Sequence, residues 1–299
     1  MKLEACMIVK NESVMIADCL NSLAGIDRIT IVDTGSTDNT VEICKRYTKN
    51  IFHYIWNDDF STARNYALSK CTGDWILIID ADEKLITDVN EVKKIVQRAK
   101  MDVINCVVRT TTEEIISTRI FRRKKEIYYK APVHNMLTFN GDEFALLQRA
   151  ENSNIIFNSG VSPAHWLDPD RSLRILEKNY KLSPNDLRLI YYLGREYLSR
   201  DRIDEVIAIY GYYKEMAYGN KWSAELADVL YILALCSSLK QDFIGAVDNA
   251  IKAIAVLPSF KAPYLLLAAA YEVQMPDKAL LWKKMSEIAD DSGVMCVRK

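Results

Sequence analysis

The chain has 299 residues, 49% hydrophobic and 26% charged, enough for one large or two ordinary soluble domains. Its 39 basic and 40 acidic side chains leave a net charge of −1, which gives no electrostatic case for nucleic acid. No apolar segment approaches the roughly 18 residues needed to span a bilayer, and the apolar run 5–9 behind Met1 and Lys2 is too short for a signal peptide.

The first half alternates strand and helix signals. Residues 3–9 read as a strand, and Ile16, Cys19, Leu20 and Leu23 then fall at the spacing of an amphipathic helix closed near Gly25. A second buried strand covers 29–32. The turn Gly35-Ser36-Thr37-Asp38 then offers caps to a helix over 39–47. A strand at 51–56, a helix at 60–70 and a strand at 75–79 follow. Alternation of this kind predicts a parallel sheet with right-handed crossovers. From about residue 102 the pattern turns β-rich, with pieces at 103–109, 115–121, 133–139 and 154–157 expected to extend the same sheet.

Beyond about residue 170 the chain reads as helical, and a 34-residue period can be tested there. With Ala227 as the first position of a tetratricopeptide-like repeat, Leu230, Leu233 and Ala234 occupy early contact positions. Ala246, Ala253 and Pro258 fall where such repeats carry small residues and a terminal proline. A second copy begins at Lys261, with Tyr264, Leu267, Ala268 and Tyr271 matching. An earlier one starts near Leu187, with Leu193, Gly194 and Tyr197 in register and an insertion around 219–222. The expectation is an α/β domain over 1–170 followed by an all-α domain over 171–299. A short solenoid of this kind usually holds a peptide or partner on its concave face.

The chemistry concentrates at the predicted strand ends. The apolar run 75–79 leads into Asp80-Ala81-Asp82, and if the strand persists the two carboxylates point to one side and can share a divalent cation. Val9-Lys10-Asn11-Glu12 ends the first strand and Asp33-Thr34-Gly35-Ser36-Thr37-Asp38 the second. Ligands of open α/β sheets bind at such carboxyl ends. Asn57-Asp58-Asp59-Phe60-Ser61-Thr62-Ala63-Arg64-Asn65 opens a helix whose amides favour an anion, with Arg64 in reach of a phosphate. The basic run Arg119, Arg122, Arg123, Lys124, Lys125, Lys130 reads first as a solvated hairpin; the functional alternative is an anion contact from Arg119 or Arg122. Seven cysteines, Cys6, Cys19, Cys44, Cys71, Cys106, Cys236 and Cys296, are odd in number and lack a Cys-x-x-Cys pair. They read as reduced core residues of a cytoplasmic protein.

Residues 7–40 and 57–83, with their four motifs in order, resemble the family 2 inverting glycosyltransferases with the GT-A fold. The run at 57–65, Val133-His134 and Ala164-His165-Trp166 are similar to the branch that adds tetratricopeptide-like helices, which includes peptide S-glycosyltransferases acting on sublancin-type bacteriocins. The resemblance implies that Asn11, Glu12 and Asp33 line a uridine site and that Arg64 and Asp80 contact a UDP-sugar donor. It further implies that Asp82 holds Mg²⁺ or Mn²⁺ on the diphosphate, with His165 completing the metal site. His134 falls on a segment expected to be β and to face the acceptor. Related chains carry Glu after that histidine, whereas this one has Asn135, and an amide cannot serve as the general base an inverting transfer needs.

Three explanations stay open for the base. His134 acts itself, its ordinary pKa of about 6.5 being suitable; a carboxylate such as Asp59, Glu83 or Glu113 reaches the site; or the acceptor is a thiol that needs little help. The expected acceptor is a peptide or protein side chain, with a cell-envelope saccharide close behind. The rivals are an inactive transferase-like adaptor, which Asn135 favours, and a nucleotidyltransferase, whose Gly-rich phosphate loop is missing at 9–12. Exposed apolar positions on helical repeats often pair chains, so a homodimer is also expected.

Overall fold

The computed structural model describes residues 1–162, 164–217 and 223–292, and the chain divides into two compact units, Met1–Ile175 and Leu176–Lys299. No helix among the described residues is long and apolar enough to cross a membrane.

The first unit is built on β1 (Leu3–Val9), in which six of the seven residues are fully buried. It is followed by α1 (Ile16–Ser22), β2 (Arg28–Asp33), α2 (Thr40–Cys44), β3 (Ile51–His53), α3 (Phe60–Lys70) and β4 (Trp75–Ile78). Next come β5 (Glu83–Leu85), α4 (Val89–Arg98), β6 (Val103–Arg109), β7 (Glu114–Arg122), β8 (Ile127–Lys130) and β9 (Met136–Phe139). The unit closes with α5 (Glu143–Leu147), β10 (Ala150–Ser159) and α6 (Ala164–Leu167). An eight-stranded sheet runs β3-β2-β1-β4-β7-β6-β10-β5. Its first four strands are parallel, β7 is antiparallel to both neighbours, and β5 is antiparallel to β10. This is the mixed sheet of a GT-A domain.

Strand alternation sorts β1 between two layers. Leu3, Ala5, Met7 and Val9 pack with Ile16, Leu20 and Leu23 of the α1 region and with Val89, Val92 and Val96 of α4. Cys6 and Ile8 face the other side, with Ala67 of α3 and with Tyr129 and Leu137 of β8 and β9.

Two expectations are corrected here. The segment 133–139 does not extend the main sheet: β9 begins only at Met136 and pairs with β8 in a separate two-stranded sheet. The third strand stops at His53, and residues 54–56 leave the sheet.

Glu4 joins three parts of this sheet. Fully buried, its carboxylate accepts Arg28 Nε at 2.9 Å, Thr30 Oγ1 at 2.6 Å, and the Thr72 and Gly73 amides at 2.7 and 2.5 Å. A Cβ on Gly73 would come within 2.7 Å of Glu4 Cβ, so this approach requires glycine. Burial alone would raise the Glu4 pKa, but hydrogen bonds from Thr30, Gly73, Thr72 and Arg28 hold it below the ordinary 4.5. Its stabilisation is therefore present above pH 4.5 and lost as pH falls through the lowered folded-state value. Glu4→Gln should cost about 3 kcal/mol at pH 7. The gap to wild type should close in acid when both are compared by denaturant melts; a pH-independent gap would contradict the linkage.

In the second unit, α7 (Arg171–Leu182), which begins in the first, leads to α8 (Leu187–Leu198) and α9 (Ile203–Ala217). Then come α10 (Ser223–Leu239) with α11 (Phe243–Val256), and α12 (Lys261–Tyr271) with α13 (Pro276–Ile288). Each predicted repeat copy thus corresponds to a helix pair. The expected contact residues Leu193, Leu230, Leu233, Ala234, Ala246, Ala253, Tyr264 and Leu267 are all buried. The insertion around 219–222 lies outside the described residues.

Candidate active site at the carboxyl edge of the sheet

The chain moves outward from β1 to β2 and β3 on one side and returns to β4 on the other, so the order reverses beside β1. A crevice at the carboxyl ends of the strands forms at such a switch point.

Asn11 follows β1 with φ 57, a left-handed conformation that Asn adopts more readily than most residues. Its amide N–H donates to Ser36 Oγ at 3.0 Å, and its side-chain Oδ1 accepts the Thr37 N–H at 2.7 Å. Asp38 reaches back, accepting from the Ser13 and Thr40 amides at 3.1 and 2.9 Å. Despite some burial, the bonds from Thr40 and Ser13 hold Asp38 down at about 2. The ends of β1 and β2 are therefore laced into one rigid rim.

Asp33, 4% exposed, accepts the Gly35 and Ser36 amides at 3.2 and 3.1 Å and has His53 Nδ1 3.3 Å from its Oδ2. With Thr34, Gly35, His53, Tyr54, Ile55 and Trp56 it lines a cleft of about 350 Å³. His53 was not singled out from sequence, although Asp33 pairs with His53 in the parallel register. Aligning the two strand ends would have found it.

The acidic turn departs from expectation in a second way. β4 ends at Ile78, so Asp80 and Asp82 lie in a turn rather than on one face of a strand. The turn is closed by the Glu83 N–H donating to the Asp80 carbonyl at 3.0 Å, while the Asp80 N–H donates to Glu83 Oε2, also at 3.0 Å. Glu83 is 3% exposed and bound by Arg119 Nη2 at 2.5 Å. Burial pushes it up to about 7, against the pull of Arg119. Glu83 is thus an internal brace of the turn, and Arg119 is its partner. The other basic-run residues behave as a hairpin surface, with Arg123, Lys124, Lys125 and Lys130 exposed.

Arg64, on the second turn of α3, donates from Nη2 to Asp80 Oδ1 at 2.8 Å and lies 5.4 Å from the Tyr129 ring centroid. The next residue, Asn65, pairs with the Tyr129 backbone in both directions, at 2.9 and 2.8 Å. Asp59 caps α3 by accepting the Thr62 N–H at 3.1 Å, and Glu113 lies exposed in the β6–β7 turn.

Glu12 turns toward the acidic turn. It is 7% exposed, its Oε1 accepts Ser162 Oγ at 2.6 Å, and its Oε2 is buried without a hydrogen-bond partner. Burial raises its pKa, and the charges of Asp82, Asp80 and Asp38 add to the rise. Asp82 Oδ2 accepts the Ser162 N–H at 3.1 Å. Glu12, Asp80 and Asp82 are therefore brought together, with Arg64 against Asp80.

His134 lies in the β8–β9 connection, not on a strand. It is exposed, with φ 48, and Ala131 of the same loop has φ 72. Both values are unusual for these residue types and belong to a constrained loop. The Phe60 N–H donates to the Pro132 carbonyl at 2.9 Å, which fixes this loop to the start of α3. His165 belongs to α6, but its side chain lies outside the described residues. Arg171, absent from the sequence reading, sets its guanidinium 5.1 Å from the Phe60 ring centroid. Burial holds it below the ordinary guanidinium value, with Asp168 and Glu12 pulling the other way.

Among the described residues, no three His, Cys, Asp or Glu side chains gather closely enough to hold a metal by themselves. The chemistry of the acidic turn nevertheless suits a hard divalent cation. Its donors are carboxylate oxygens, burial and then the Asp82 and Asp80 charges raise Glu12, and one Glu12 oxygen is buried unbonded.

A family model described as Glycosyl transferase family 2 matches residues 4–164. A TPR repeat-containing protein of Synechococcus elongatus is 34% identical over 157 residues, covering 49% of this chain and 37% of its own. Glycosyltransferase SunS of Bacillus subtilis is 29% identical over 217 residues, covering 67% of this chain and 50% of its own. The chain therefore spans about half or less of the length of these curated relatives. Among solved structures, S. aureus TarS 1-349 in complex with UDP-GlcNAc aligns with 100% of this chain and 93% of its own, at 16% identity and a TM-score of 0.48.

Proposed function

We propose, from the premise that the chain belongs to glycosyl transferase family 2, that it transfers a sugar with inversion from a uridine diphosphate sugar to a peptide or protein side chain. The observation that carries this reading is the convergence of Glu12, Asp80, Asp82 and Arg64 at the switch-point crevice, beside the Asp33 cleft. In it, Asp33 addresses the base or ribose, and the aromatic walls at Tyr54 and Trp56 flank the nucleoside. Arg64, held by Asp80, and Arg171 supply positive charge to the diphosphate. Asp82, with His165, would hold Mg²⁺ or Mn²⁺, which when bound neutralises charge on the departing diphosphate.

His134 takes the acceptor's proton at an imidazole nitrogen as the acceptor attacks. Its loop is fixed to α3, which also carries Arg64, so base and donor are referenced to one helix. The peptide acceptor is supported by the three helix pairs of the second unit, since helical repeats commonly hold extended chains.

Thermal melts with UDP, GDP and dTDP, each with and without Mn²⁺, test the donor site. At about 100 times its Kd a nucleotide stabilises by roughly 2.7 kcal/mol. The expected result is a Mn²⁺-enhanced shift with UDP that Asp33→Ala loses. No shift with any nucleotide, or an unchanged shift in Asp33→Ala, would count against the reading. Mass spectrometry of peptide and saccharide acceptors then separates the two acceptor classes.

A further inference from the structure

The segment that follows β10 reaches the acidic turn and the end of β1 through hydrogen bonds whose purpose the sequence does not reveal. The Gly160 N–H donates to the Asp82 carbonyl at 2.7 Å, and the Ser162 N–H donates to Asp82 Oδ2 at 3.1 Å. Ser162 Oγ donates to Glu12 Oε1 at 2.6 Å, across 150 residues of sequence. Main chain and side chain of Asp82 are thus both gripped from one segment, which also joins them to the end of β1.

The fit has little slack. A Cβ added to Gly160 would sit 2.5 Å from the Asp82 carbonyl oxygen and 2.8 Å from Met15 Cε, so only glycine allows the segment to lie this close. Ser162 and Glu12 are both more than nine-tenths buried, and Glu12 Oε2 has no hydrogen-bond partner beside the Asp82 and Asp80 charges. A buried carboxylate oxygen without a donor is costly unless something positive meets it.

We propose that residues 160–162 form a strap that positions the cation-holding carboxylates, with Ser162 as its key. The hydroxyl and amide of Ser162 bind one oxygen each of Glu12 and Asp82, fixing the separation and rotation of the two carboxylates before a cation arrives. Ser162 touches neither donor nor acceptor; it is a positioning residue and acts through Asp82 and Glu12. The proposal rests on the reading that Asp82 holds a divalent cation. Partners of this kind orient metal ligands, and their loss typically weakens binding 10- to 100-fold.

The test measures Mn²⁺ binding to the full chain with saturating UDP, by the paramagnetic resonance signal of free Mn²⁺, so it needs no turnover. Wild type, Asp82→Ala, Ser162→Ala and Ser162→Thr are compared, together with their melting temperatures and their UDP affinities without metal. The expected result for Ser162→Ala is a Mn²⁺ Kd raised about 10- to 100-fold, with melting temperature and metal-free UDP affinity close to wild type. Ser162→Thr, which keeps the hydroxyl, should recover most of the loss. If Ser162→Ala does not fold, Ser162→Cys, a weaker donor of similar size, reads the same shift. Loss of Mn²⁺ in Asp82→Ala but wild-type affinity in the Ser162 variants would overturn the strap and leave the metal reading standing. Wild-type affinity in Asp82→Ala, or no Mn²⁺ binding by the wild type, would overturn both.

Discussion

Asp82→Ala should lower sugar transfer by at least about 10³-fold, roughly 4 kcal/mol of transition-state stabilisation, while the melting temperature stays close to wild type. The side chain is only partly buried and accepts the Ser162 N–H at 3.1 Å, so its truncation removes no apolar core surface. Asp82→Asn refines the test. The amide oxygen can still accept from Ser162 while the charge is gone, so an equal loss in both variants identifies charge as the missing quantity. Steady-state release of the nucleoside diphosphate over a Mn²⁺ series is the measurement. Full activity in either variant would remove Asp82 from the metal role.

Arg64→Ala should have an effect nearly as large, lowering kcat/KM by about 10²- to 10³-fold, the scale set by removing one preorganised charge-stabilising donor. It should also raise the donor KM, because the guanidinium is held by Asp80 at 2.8 Å and against the Tyr129 ring before any ligand arrives. Arg64→Lys should recover little, since an ammonium lacks the planar fork that can meet Asp80 and a phosphate together. A modest loss of stability, about 1–3 kcal/mol, accompanies the removal of a buried partner. Donor-titrated kinetics beside denaturant melts separate the two effects, and wild-type kinetics for Arg64→Lys would show that the fork is unused.

The elements legible from sequence were those whose signal is local. β1 carries the apolar run 5–9, and α3 announces its start through the Asp59 cap. α4 carries the same kind of signal, with Asp88 as its cap and Val89, Val92 and Val96 as its buried stripe. β5, β8 and α5 are only three to five residues long and carry almost no periodicity.

Parts of the site were legible for the same reason and others were not. The strand-end residues Asn11, Asp33, Asp80 and Asp82 follow apolar runs, so their position along the sheet edge could be read. Their side-chain directions could not, because β4 ends before Asp80 and a turn rather than strand alternation sets the orientation. His134 was assigned to a strand because its neighbours are β-prone, but its φ of 48 follows from a hairpin connection that only the paired strands define. Ser162 carries no motif, and its meaning lies in a contact with Glu12 spanning 150 residues.

The thiols give the chain a built-in set of clocks. Cys6, Cys19, Cys44, Cys71 and Cys106 are all buried in the first unit, and Cys236 is buried in the second. Burial pushes Cys44 up to about 11 and Cys106 up to about 12, and raises Cys236 as well. At Cys44, Cys106 and Cys236 a folded chain therefore offers almost no thiolate at neutral pH, and each buried sulfur becomes accessible only when its surroundings open. Alkylation at Cys236 then times the opening of the helical unit, and alkylation of the other five times the opening of the sheet. One labelling experiment can thus show whether the two halves breathe together or apart.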